Sequence, residues 1–144
     1  MRVRLVAAVG AFTIACRSHP RTPPEPDFTR LWQIRLQADS TPSRKLQHTP
    51  VTGSIDFAAK VAHIDYRPLV GRQLTPQAEV RAEKDSTGSA PSTIYRIILG
   101  DTNSDVGKIA LVAHVVRADS LAGTWTETVL CCSAGGTFVL WRAR

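Results

Sequence analysis

The stretch Phe28–Thr41, FTRLWQIRLQADST, alternates apolar and polar residues with a period of two. Phe28, Trp32, Ile34 and Leu36 fall on one face, and Gln33, Arg35 and Gln37 on the other. That period is the mark of a half-buried strand, because successive side chains of an extended chain point to opposite sides. Arg30 lands on the apolar face, so the outer end of this strand is expected near solvent. Ala38-Asp39-Ser40-Thr41-Pro42 then supplies turn chemistry.

The same grammar recurs downstream. In Val51–Ala59 (VTGSIDFAA), Val51, Ile55 and Phe57 line one face. Ala62–Val70 (AHIDYRPLV) is a shorter strand candidate that Pro68 must end or push to an edge. Thr75–Lys84 (TPQAEVRAEK) opens with Thr-Pro and continues in good helix formers, which predicts one short helix. Asp85–Ser92 is a polar loop. Ser92–Gly100 and Gly107–Asp119 are strands joined by a polar hairpin loop, and Leu121–Cys132 and Gly136–Arg144 are strands joined at Ser133–Gly136. Gly followed by Ser or Thr and then a large apolar residue appears at Gly53-Ser54-Ile55, Gly123-Thr124-Trp125 and Gly136-Thr137-Phe138. A glycine there permits sharp coiling, and the next inward residue then fills the core. The expected fold is mainly β: a small antiparallel barrel or sandwich of about seven strands with at most one short helix, preceded by a signal-peptide helix and a proline-rich linker.

Composition agrees with one domain. The chain has 144 residues, 43% of them hydrophobic, and a formal charge of +6. Fourteen arginines and four lysines are scattered singly, without the basic stripe and interleaved aromatics of a nucleic-acid surface.

The first residues divide differently. Arg2 and Arg4 form a positive start, and Leu5–Ala15 is an uncharged apolar run, short of the ~20 residues that span a bilayer. Residues 17–26 hold four prolines and otherwise only polar side chains, which reads as an extended spacer reaching up to about 30 Å. At the junction, Thr13-Ile14-Ala15-Cys16 resembles the lipobox of bacterial lipoproteins. That resemblance implies a signal peptide over 1–15, a lipid attached to Cys16, a tether over 16–26 and a single β-rich domain over 27–144. It implies anchoring in the cell envelope, with Arg17 after the cysteine favouring the outer membrane facing the periplasm. Plain secretion is the alternative.

Chemistry is sparse. Asp101–Gly107 spaces oxygen side chains like a calcium loop, but Val106 and Val112 stand where such a loop needs glycine and glutamate, so a hairpin turn is expected. The adjacent Cys131 and Cys132 fit neither a redox motif nor a zinc knuckle. His63 and Asp65 share a strand face without a nucleophile motif beside them, His114 is expected half-buried, and His19 and His48 lie in the spacer and beside a turn. No catalytic residue, metal or cofactor is expected.

Trp32 near the start, Gly123-Thr124-Trp125 and Arg142 near the end resemble fragments of the lipocalin pattern. That family packs a tryptophan of its first strand against an arginine of its last. The resemblance implies a barrel end sealed by Trp32 or Trp125 with Arg142, as packing or beside a ligand. The expected function is a non-catalytic binding module for a small apolar or amphiphilic ligand or a peptide. The alternative is an interaction protein docking another envelope component through its sheet surface, with a hydrolase as the third class.

Overall fold

The alternation around Trp32 becomes the first strand, β1 (Leu31–Ala38), which buries Trp32, Ile34, Leu36 and Ala38 and turns Leu31 and Arg35 outward. The computed structural model describes residues 24–39, 49–88, 92–104, 107–128 and 134–144. Seven further strands follow: β2 (Val51–Asp56), β3 (Val61–Ile64), β4 (Ala78–Asp85), β5 (Ser92–Gly100), β6 (Lys108–Arg117), β7 (Ser120–Thr128) and β8 (Gly135–Arg142). One helix, α1 (Arg67–Val70), lies between β3 and β4.

All eight strands belong to one antiparallel sheet in the order β3-β2-β1-β8-β7-β6-β5-β4. Each strand therefore neighbours the strand before or after it, and the pairing of β1 with β8 joins the two ends of the chain. The sheet curls into a half-barrel whose two edges meet at one point. There Val61 bridges Gln77, the Ala62 amide donates to the Pro76 carbonyl at 2.9 Å, and the Ala78 amide donates to the Lys60 carbonyl at 3.0 Å. Beyond that seam, β4 is an edge strand among the described residues.

Two expectations change. Thr75–Lys84 is not a helix: β4 pairs with β5 along its whole length, from Ala78 opposite Leu99 to Asp85 opposite Ser92. Ala78 is buried and Val80 packs on the core, a period of two in a segment rich in helix formers. Tertiary pairing overrides a helix propensity worth only a few tenths of a kcal/mol per residue, roughly. Its charged residues suit an edge, where Arg81 pairs with Glu79 and Arg96 of β5 reaches Glu83 at 3.0 Å. The helix sits instead at Pro68, where the proline ring occupies the first turn and Gly71, with φ of 76°, closes the end.

The concave side is filled with side chains. Trp32, Ile34, Leu36, Ile97, Leu111 and Leu140 are among those with no exposed surface. One end is plugged by the β3–β4 connection: Tyr66, Leu69, Val70 and Leu74 are buried there. Gln73 clamps that connection, donating to the Ile64 carbonyl at 2.8 Å and accepting from the Tyr66 amide at 3.2 Å. Arg72 reaches across to Glu127 of β7 at 3.1 Å, whose side chain is 1% exposed. The Tyr66 hydroxyl is buried without a hydrogen-bond partner among the described residues, and burial pushes its pKa well up.

The Gly-Ser/Thr-apolar triplets fall where strands crowd. Ile55, Trp125 and Phe138, each two residues past a glycine, all point into the core. At Gly136 a Cβ would meet the Gln37 carbonyl and the Trp125 indole, so only glycine lets β8 approach β1 there.

Candidate functional site

The end of the half-barrel opposite α1 is its mouth, and the segment before β1 folds over it. Phe28 packs at a tilt on Trp32 of β1 at 5.5 Å between ring centroids, edge-on against Phe57 after β2 at 5.1 Å, and at a tilt on Tyr95 of β5 at 5.2 Å. Trp32 and Tyr95 belong to strands on opposite sides of the sheet order, so Phe28 spans the opening. The Trp32 indole N–H donates to the Asp27 carbonyl at 3.0 Å, which pins this aromatic lid.

Asp27 holds the lid's turn. Its carboxylate accepts from the Thr29 hydroxyl at 2.6 Å and the Thr29 amide at 3.0 Å. These bonds, helped by Arg30 and Arg142, hold the Asp27 carboxyl below its ordinary value of 3.8. A carboxyl depressed in the folded state stabilises above its unfolded pKa and loses that contribution as pH falls through the folded value. An NMR titration is expected to place Asp27 below 3.8, and Thr29→Val to move it upward but not fully, because the amide still donates. An unshifted Asp27 in the unaltered chain would contradict this arrangement.

Beside the lid lies a cleft of about 640 Å³. Its apolar lining comes from Pro24, Ala82, Tyr95 and Val115, and its rim carries Glu25, Lys84 and His114. Burial first, and Glu25 second, push the Tyr95 hydroxyl above its ordinary value of 10.0. Among the described residues β4 has no partner strand beyond the seam, and Ala82 and Lys84 line the cleft there. The volume falls within the roughly 300–1,000 Å³ typical of small-molecule sites, and the arrangement is apolar floor with charged rim. Such a cleft suits a molecule with an apolar body and a polar head.

The structure places the residues singled out in sequence as follows. Trp32 and Arg142 are register partners on β1 and β8 at the mouth. Trp125 is elsewhere. It pairs with Gly136, six residues back along β8, roughly 20 Å from the rim. There it is 1% exposed and donates from its indole N–H to the Gln37 carbonyl at 3.0 Å, which makes it core. His63 and Asp65 both face solvent, and Asp65 is held by the Arg67 guanidinium through two 2.8 Å bonds. That pairing keeps the Asp65 carboxyl below its ordinary value and directs it away from service as a partner for His63. His114 is exposed, not half-buried, because β6 turns it to the outer face. The Asp101 loop forms a turn, with the Asn103 amide bonded to the Asp101 carboxylate at 2.9 Å. Cys16, His19, His48, Cys131 and Cys132 lie outside the described residues.

Among the described residues no group of three or more His, Cys, Asp or Glu is placed to hold a metal ion. No helix among them is long and apolar enough to cross a membrane. The cleft residues Ala82, Tyr95 and Val115 were not legible as a site. The one available signal was the period of two in Ala78, Val80, Ala82 and Lys84, which places a lysine at an inward position. No protein-family profile matches the chain, and neither does any curated protein or solved structure.

Proposed function

We propose that this chain is a lipid-anchored protein of the bacterial cell envelope, attached through Cys16 and held at the outer membrane facing the periplasm. Its β domain is a non-catalytic binding module that takes a small amphiphile into the mouth of the half-barrel. The observation that carries the binding role is the 640 Å³ cleft, with Tyr95 and Val115 on its floor and Lys84 at its rim. The filled core below Phe28 confines the ligand to the mouth. The anchor rests on the signal-like residues 1–15 and on Cys16 with its proline-rich spacer.

Two measurements test the two halves separately. Cys16→Ser is expected to release the chain from the membrane fraction and abolish acyl labelling; unchanged fractionation defeats the anchor. For the cleft, a fluorescent fatty acid serves as probe. Val115→Trp fills the floor and is expected to weaken saturable binding by about tenfold, or ~1.4 kcal/mol. Binding that is absent from the unaltered chain, or untouched by Val115→Trp, rules the cleft out.

A further inference from the structure

The outer face of the sheet carries an apolar patch that the mouth cleft does not use. Outward residues of a one-sided antiparallel sheet are normally polar. Here Leu31, Val116, Val139 and Trp141 are 45%, 60%, 46% and 38% exposed. They lie toward one end of β1, β8 and β6, with polar residues interleaved. Trp141 lies opposite Gln33 on one side and Ser120 on the other, Val139 lies opposite Arg35, and the Ala143 amide bonds the Leu31 carbonyl at 3.0 Å.

A bulge lies at Val116. Val115 pairs with Leu121 and Arg117 with Ser120, so Val116 is an extra residue on β6. The extra residue puts Arg117 on the outer face as well, where alternation already turns Val116 toward the groove it shares with Trp141. The two line a groove of about 610 Å³ together with Arg117, Arg142, Arg144 and Asp119. Three arginines against one aspartate leave that groove positive, and Arg35 adds a further positive charge beside Val139.

We propose that this face is where the domain lies on an anionic bilayer, with Trp141, Leu31 and Val116 at headgroup depth and the arginines against lipid phosphates. The assignment rests on the anchoring of Cys16 proposed above. Seven residues separate Cys16 from Pro24, eight steps with a reach of at most about 28 Å, and the chain then crosses the mouth to Leu31 in the patch. A domain so tethered meets the bilayer at an effective concentration on the order of millimolar, so a weak face suffices. Each arginine near an anionic surface contributes about 1 kcal/mol, and an interfacial tryptophan prefers the headgroup layer. A protein partner would have to compete with a surface that is always within reach.

Trp141 supplies its own probe, since Trp32 and Trp125 are buried. The exported full chain, reconstituted into vesicles, is compared with and without brominated acyl chains, in phosphatidylcholine alone and with about one-third phosphatidylglycerol. In the anionic brominated vesicles, emission is expected to fall by roughly a third, because one of three tryptophans reaches the lipid. Trp141→Phe should remove that fall, and Arg117→Gln with Arg144→Gln should reduce it. A chain that floats with the vesicles but shows no quenching overturns the docking face and leaves it to a protein partner. Quenching that survives Trp141→Phe, or is equal in neutral vesicles, also overturns it. A chain that does not float yet is quenched on anionic vesicles overturns the anchor and keeps the face.

Discussion

Trp125→Ala is expected to cost about 4 kcal/mol of stability, a large part of the 5–15 kcal/mol typical of a folded domain. Trp125 is 1% exposed and sits where β7, β8 and β1 converge, with Leu111 and Gly136 as its cross-strand partners. Its removal takes away the largest side chain at that end and the bond from its indole N–H to the Gln37 carbonyl. The gap cannot close, because Gly136 already sits against the indole with no side chain to shift inward. Urea denaturation followed by circular dichroism measures the loss. Trp141→Ala is the matched control, expected to change stability by under about 0.5 kcal/mol because that ring faces outward. Equal losses for the two variants would refute the assignment of Trp125 to the core.

Gly123→Ala is expected to destabilise by about 3 kcal/mol although it adds one methyl group. Gly123 faces Ala113 of β6 and Phe138 of β8. A Cβ there would run into the Val112 carbonyl oxygen and approach the Phe138 ring to 3.2 Å. A flexible side chain could swing aside, but a ladder carbonyl cannot, so β6 and β7 would have to part. Thr124→Ala, on the exposed face one residue on, should be close to neutral by comparison. A neutral Gly123→Ala would mean that β7 does not approach β6 this closely.

These two positions show what the sequence could and could not display. Ile34, Leu36, Ile97 and Leu111 announced their strands because a one-sided sheet imposes a period of two on every strand it buries. Gly53, Gly123 and Gly136 were visible as coiling points because each precedes an inward residue by two. The segment Thr75–Lys84 was misread because its inward side chains, Ala78, Val80 and Ala82, are small, and its charged residues are also good helix formers. Only pairing with β5 distinguishes the two states, and pairing is nonlocal. For the same reason the mouth cleft was hidden: Pro24, Ala82, Tyr95 and Val115 come from four distant segments. Trp32 and Arg142 are register partners on β1 and β8, while Trp125 could not be assigned an end from its Gly-Thr-Trp context alone.

The β1–β8 pairing has a consequence in time. β1 pairs with β8 from Trp32 opposite Arg142 to Ala38 opposite Gly136, so the sheet cannot be completed until the last strand of the described residues has been made. Contacts of such long sequence separation carry a high loop-closure cost and make folding slow. β1 waits beside β2 with its other edge unpaired throughout synthesis. The half-barrel therefore closes only once β8 is present to pair with β1.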